Sequence, residues 1–306
     1  MGERLIRALR WAIGITILVL VVRSFVRNWD QLQAQPIAWE FRPLPVLASA
    51  LLVWGMYAML IEAWRRMLGG WGQRLAYPEA ARIWSVSSLG KYVPGKVWAI
   101  AGMALMAREA GVAAWAATAS AVILQALAVG TGAAVAAGFG GAALEASHPG
   151  ALGYILVIGG AAALGVAALA YPPVTRRLLA LVGVGDASRG PGVRPVLIGV
   201  AANTLAWIGY GAALWLLAAG TLPVGALSPA AAIGGFAASY VAGLVALLAP
   251  GGLLVREGVM IAMLQGTIGL GPASGLAIAS RVLLTITEVG AAVPFLLFRS
   301  GKPRVV

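Results

Sequence analysis

Apolar residues fall along this chain in long blocks that have no polar side. In LPVLASALLVWGMYAMLI and LGYILVIGGAAALGVAALAY, a helix would present the same chemistry whichever way it turned, whereas a helix on a soluble core keeps a polar face. Six such blocks, at about 11–27, 44–64, 112–138, 151–171, 195–219 and 273–298, approach the roughly 20 residues that cross a bilayer core. Two further apolar segments, 79–108 and 229–270, are broken near their middles by VPGK and APGG. Proline removes a helix hydrogen bond and glycine lets the chain turn. Segment 79–108 is therefore expected to be a re-entrant hairpin of two short helices; 229–270 is either a second hairpin or two full crossings. The pattern predicts an all-α, polytopic helical membrane protein with six to eight spans and re-entrant hairpins, in one transmembrane domain over 1–306.

Basic residues orient the blocks, because connections rich in Lys and Arg stay cytoplasmic. Arg4, Arg7 and Arg10 precede the first block and Arg65, Arg66, Arg74 and Arg82 follow the second, so both flanks are expected inside. The connection GFGGAALEASHPG has no Lys or Arg and is expected outside; the one with Arg176, Arg177, Arg189 and Arg194 is expected inside. AGTLPVGALSP is again expected outside, and Arg299, Lys302 and Arg304 put the C-terminus inside with the N-terminus. Segment 79–108 then starts and finishes on the cytoplasmic side, and 229–270 on the outer side. The order span, span, broken segment, span occurs twice, over about 10–140 and 151–298, in opposite orientations. This is an inverted repeat in topology. In transporters such repeats bring broken helices to the midplane, where freed backbone groups and helix ends make a polar site.

Composition narrows the function classes. Hydrophobic residues are 61% of the 306 and charged residues 10%. The net charge of +12 resides in short connections between apolar blocks, which is a topology signal and not a nucleic-acid footprint. No cysteine is present, so disulfides and thiolate metal sites are excluded; the single histidine, His148, lies in a loop and leaves no Ser-His-Asp triad. No nucleotide-binding glycine loop appears, and neither cofactor nor metal is expected. Arg23 and Phe25 stand where a cleavage site would follow a signal peptide, so the first block is expected to remain as a span of a plasma-membrane protein.

Charges inside the apolar segments carry the candidate chemistry, because an ionisable side chain at membrane depth costs several kcal/mol unless hydrated or paired. Lys91 and Lys96 flank the tip Pro94-Gly95, with Tyr92 ending the first arm. A helix starting after Pro94 presents free N–H groups and a partial positive charge beside Lys96, a combination suited to phosphate. Trp98 is placed to wall such a pocket; the alternative is that both lysines snorkel to the surface. Pro250, Gly251 and Gly252 form the second tip, followed by Arg256 and Glu257, read either as an interfacial pair or as an anion-binding arginine oriented by its neighbour. Arg281 and Glu288 lie seven residues apart, on one face of the last span, as a functional charge pair or as a bridge to Arg256 or Glu257. Across the inverted repeat the two tips are expected to meet near the midplane, with Lys96, Arg256, Glu257, Arg281 and Glu288 converging on one laterally open cavity. Gln125 and Asn203 read as interhelical hydrogen-bonding groups.

GKYVPGKVW, LAPGGLLVREGV and SRVLLTITE, in that order and spacing, resemble the flippase-like membrane family named after the transmembrane domain of lysylphosphatidylglycerol synthases. The resemblance runs from about residue 10 to 298. It implies translocation of an anionic or aminoacylated phospholipid, or a related lipid, between leaflets, with the Pro-Gly tips, Lys91, Lys96, Arg256, Glu257, Arg281 and Glu288 lining the path. No aminoacyl-transfer half accompanies it, so a separate lipid-modifying enzyme is the implied partner, and self-association is left open. The alternatives are a membrane enzyme or accessory subunit acting on polyprenyl-phosphate-linked sugars, and a transporter of a small solute or ion.

Overall fold

The computed structural model describes residues 40–92, 98–147, 151–169, 171–181, 190–245 and 255–297. Among these residues helix is the only regular structure: α1 (Pro43–Gly69), α2 (Tyr77–Ser88), a 3-10 turn (Leu89–Tyr92), α3 (Trp98–Glu109), α4 (Ala114–Ser147), α5 (Ala151–Leu169), α6 (Pro172–Leu181), α7 (Val193–Thr221), α8 (Pro229–Val245), α9 (Val255–Ile268) and α10 (Leu270–Leu297). Prolines sit in the first turns of α1 and α2, where the missing N–H has no helical partner to lose. Four stretches, α1, Ala114–Gly141 of α4, α7 and α10, are long and apolar enough to span a membrane. The protein is a membrane-embedded helical protein. The block at 11–27, His148 and the basic residues at 299–304 lie outside the described residues.

The spanning helices turn the soluble-protein pattern outward. Leu47, Leu51, Leu205, Val282 and Ile286 are more than half exposed, while α7 and α10 bury Gly199, Ala202, Gly209, Gly211, Ala273, Ser274 and Ser280. Lipid is as apolar as leucine, so close packing through small residues, and not apolar burial, holds such helices together.

At the centre α1 and α7 run antiparallel. The Arg42 and Glu40 amides donate to Gly220 and Thr221 carbonyls at 2.9 and 3.1 Å, and the Arg42 guanidinium caps the same helix end through Ala219 O at 2.8 Å, a cation at a helix C-terminus. At the opposite end Gly70 lies against the Pro191 carbonyl, where no Cβ fits. Midway, the Tyr57 and Tyr210 rings are 6.1 Å apart. Helices α2 and α3 pack side by side as one hairpin, α8 and α9 as another, and each seeds a core. Trp64, Met67, Leu68, Ile83, Ile123 and Leu127 centre the first core; Phe236, Leu214, Leu222, Met260 and Leu264 centre the second.

Exchanging α1 with α7, α2 with α8, α3 with α9 and α4 with α10 maps the main packing pairs among these helices onto one another. Thus α8 on α4 has its counterpart in α2 on α10, α4 on α7 in α10 on α1, and α9 on α10 in α3 on α4. Local chemistry follows the same exchange. Trp54-Gly-Met-Tyr57 in α1 matches Trp207-Ile-Gly-Tyr210 in α7. The Trp54 indole donates to the Thr287 carbonyl of α10 at 2.9 Å, and the Trp207 indole to the Ala128 carbonyl and Thr131 hydroxyl of α4 at 3.0 and 3.2 Å. Gly72 and Gly225, in the α1–α2 and α7–α8 turns, and Gly111 and Gly269, in the α3–α4 and α9–α10 turns, all have φ between 74° and 85°, the left-handed region that only glycine enters at little cost.

Candidate functional site

The charges singled out in the sequence meet where the first hairpin, α1 and α8 face α9 and α10. Approaching Pro94, the chain tightens from α2 into the 3-10 turn, since the residue before a proline avoids the α region. That turn brings Lys91 to the Glu288 carboxylate of α10, and the two form an ion pair with Glu288 buried and Lys91 one-third exposed. Tyr57 from α1 donates its hydroxyl to Glu288 at 3.4 Å and lies at the same distance from the Thr287 hydroxyl. Two turns earlier on α10, Arg281 pairs at 2.6 Å with Glu257 of α9. Arg281 and Glu288 share a face but sit about 10 Å apart along the axis at 1.5 Å per residue. They bond to different elements and not to each other.

Arg256 stands differently. One residue before Glu257, it turns about 100° away on the helix and is 8% exposed. Its guanidinium lies 5.0 Å from the Tyr240 ring centre and 5.4 Å from that of Phe236, a cation held on aromatic faces. Its one hydrogen bond among the described residues runs from Nη2 to the Ser280 hydroxyl at 3.0 Å, and no carboxylate among them pairs with it. The charges of Glu257, Glu288 and Arg281 all act on it. Tyr210 and Tyr240 complete the surround, both packed on Phe236, with Tyr210 also against Tyr57. Neither of their hydroxyls has a hydrogen-bond partner among the described residues. Tyr57, Tyr210, Phe236 and Tyr240 thus ring a cluster of charges. Among the described residues Lys91, Arg256 and Arg281 stand against Glu257 and Glu288, one more positive charge than negative.

Of the sequence candidates, Lys91, Arg256, Glu257, Arg281 and Glu288 are thus brought into one neighbourhood. Trp98 opens α3 with its side chain half exposed, next to Gly90, whose Cα faces the Trp98 and Ala99 backbone. The backbone of Tyr92 ends the 3-10 turn. Pro94, Gly95, Lys96, Pro250, Gly251 and Gly252 lie outside the described residues. Asn203 bonds within its own helix, to Gly199 O at 2.8 Å. Sequence reasoning missed Tyr57, Tyr210, Phe236, Tyr240 and Ser280; the repeated Trp-x-x-Tyr was the available signal for the first two. Separately, an apolar cleft of about 350 Å3 opens between α4, α5 and α7, lined by residues including Gly130, Thr131, Val135, Val166, Val200 and Ile208. It holds none of the charged residues. Its wall residue Thr131 bonds Trp207, whose ring is 5.5 Å from Tyr240, so one aromatic layer separates the cleft from the charged cluster. Among the described residues no group of His, Asp or Glu is arranged to hold a metal ion.

No family model, curated protein or solved structure matches this chain.

Proposed function

We propose that this protein is a lipid translocator, moving a lipid with an anionic headgroup between leaflets, with the charged cluster around Arg256 as the headgroup site. The observation that carries this reading is the surplus of donors: a buried guanidinium with one hydroxyl acceptor, two tyrosine hydroxyls with no partner among the described residues, and a net positive charge among apolar helices. An uncompensated charge at membrane depth is expensive, and a phosphodiester, carrying one negative charge and acceptor oxygens, is the ligand that removes the expense. The matched packing supports an inverted repeat with halves of about 10–140 and 151–298. The Pro-Gly steps within 79–108 and 229–270 support two re-entrant hairpins among six spans. Acyl chains travel outside, along lipid-facing surface such as the α4–α5–α7 cleft. On this reading the chain is a relative of the lysylphosphatidylglycerol synthase flippase-like family.

The test is leaflet exchange of labelled phosphatidylglycerol and phosphatidylcholine in liposomes containing the purified protein. Faster exchange of the anionic lipid is expected. Arg256→Gln should slow it roughly 10- to 100-fold, since a hydrogen bond to a charged group contributes about 1.5–3 kcal/mol. Equal exchange of both lipids, or an Arg256→Gln rate equal to that of the parent protein, would overturn the proposal.

A further inference from the structure

The repeat has one asymmetry that concerns motion. Helix α8 lies so close along α4 that Gly234 meets the backbone of Gly140 with no room for a Cβ. Its counterpart, α2 on α10, packs more sparsely among the described residues, and there the first hairpin and α10 share an ion pair, Lys91 to Glu288. Thr131 and Thr287 accept from or lie beside the two matched tryptophans. The Trp207 acceptors on α4 are Ala128 and Thr131, and the residues that follow them, Val129 and Gly132, carry no charge where Glu288 follows Thr287. One half therefore builds this helix contact without any charge, so the fold does not require the pair. Glu288 already accepts from the Tyr57 hydroxyl at 3.4 Å, on the same Oε1 that Lys91 approaches, so it keeps a donor if Lys91 leaves.

We propose that the Lys91–Glu288 pair is a latch between the two halves of the protein, opened by the anionic headgroup. The inference rests on the lipid-translocator reading and specifies how that site is regulated. An incoming phosphate oxygen replaces the Glu288 carboxylate at the Lys91 ammonium. Glu288 keeps its bond from Tyr57, and the first hairpin, with no glycine-packed contact to α10 among the described residues, moves away from α10. Binding energy for the headgroup is thus coupled to relative movement of the halves, because the ligand interacts differently with the closed and open states.

The chain has no cysteine, so spin labels can be placed at will. Leu105→Cys on α3 and Val282→Cys on α10 replace residues that are both more than half exposed. Pulsed dipolar distances between them are measured in nanodiscs of phosphatidylcholine alone and with phosphatidylglycerol, in the otherwise unchanged protein and with Glu288→Gln or Lys91→Gln. The expected result is a shift to longer distance on adding phosphatidylglycerol in the unchanged protein, and the longer distance in both lipids in each variant. The latch is overturned if Glu288→Gln and Lys91→Gln keep the short distance in phosphatidylcholine, or if phosphatidylglycerol leaves the unchanged protein at the short distance. In that second case the exchange assay separates the two readings: persistent anionic-lipid exchange sinks the latch alone, and its absence sinks the translocator reading as well.

Discussion

Arg256 owes its character to the residues that leave it unneutralised. Glu257 follows it in sequence but is taken by Arg281, and Glu288 is taken by Lys91, so among the described residues the guanidinium is left with aromatic faces and one serine. Lysine at 256 would keep the charge but lose the planar stack and the fork of donors. Arg256→Lys should therefore move anionic lipid at a rate between those of the parent and Arg256→Gln, a ranking that the liposome assay reads directly. Tyr240→Phe removes only a hydroxyl that has no partner among the described residues. It should leave thermal stability unchanged while lowering anionic-lipid affinity roughly 3- to 10-fold, the worth of a hydrogen bond of about 0.5–1.5 kcal/mol. If Tyr240→Phe instead unfolds the protein with affinity unaltered, the hydroxyl is structural and does not face a ligand.

Between elements, glycines set how close the helices come and how the chain turns. Placing a Cβ at Gly234 would drive it into the Gly140 backbone, which cannot move aside as a flexible side chain could. Gly234→Ala should lower stability by about 1–3 kcal/mol, the usual cost of overpacking, seen as a depressed unfolding temperature in detergent. Gly111 and Gly69 make an informative pair. Both have open space where a methyl group would go, but Gly111 has φ +82° and Gly69 lies in a helix. Alanine at 111 should cost about 1–2 kcal/mol from the left-handed backbone alone, whereas alanine at 69 should be neutral or stabilising by up to about 1 kcal/mol. Equal effects at the two sites would show that turn geometry does not limit this fold.

For the molecule as a whole, the antiparallel α1–α7 pair puts Phe41 and Val224 at one end and Glu109 and Arg176 at the other. The scarcity of basic residues at the first end predicts that it faces the outside. Single cysteines at Phe41 and Val224, which are 77% and 80% exposed, should react with a membrane-impermeant maleimide in intact cells; cysteines at Glu109 and Arg176 should react only after permeabilisation. Labelling of Phe41→Cys and Val224→Cys from opposite sides would contradict both the orientation and the inverted repeat.

What the sequence determined by itself was the solvent and the menu of elements. A block such as 195–219 has no polar side, and in lipid only a helix satisfies its backbone, so α7 was legible from composition and length alone. The Pro-Gly steps likewise predict helix stops, because ring and missing N–H act locally; 94–95 and 250–252 lie outside the described residues. Which charge meets which was decided by tertiary structure. Arg281 and Glu288 share a helix face, yet each found a nearer partner on another element, and no spacing rule contains the position of Lys91, 197 residues away from Glu288. Tyr57, Tyr210 and Tyr240 read in sequence as ordinary apolar-span aromatics. They came together beside the charges of α9 and α10 only because α1, α7 and α8 pack there, an arrangement that rests on long-range helix packing and not on any local preference of the chain.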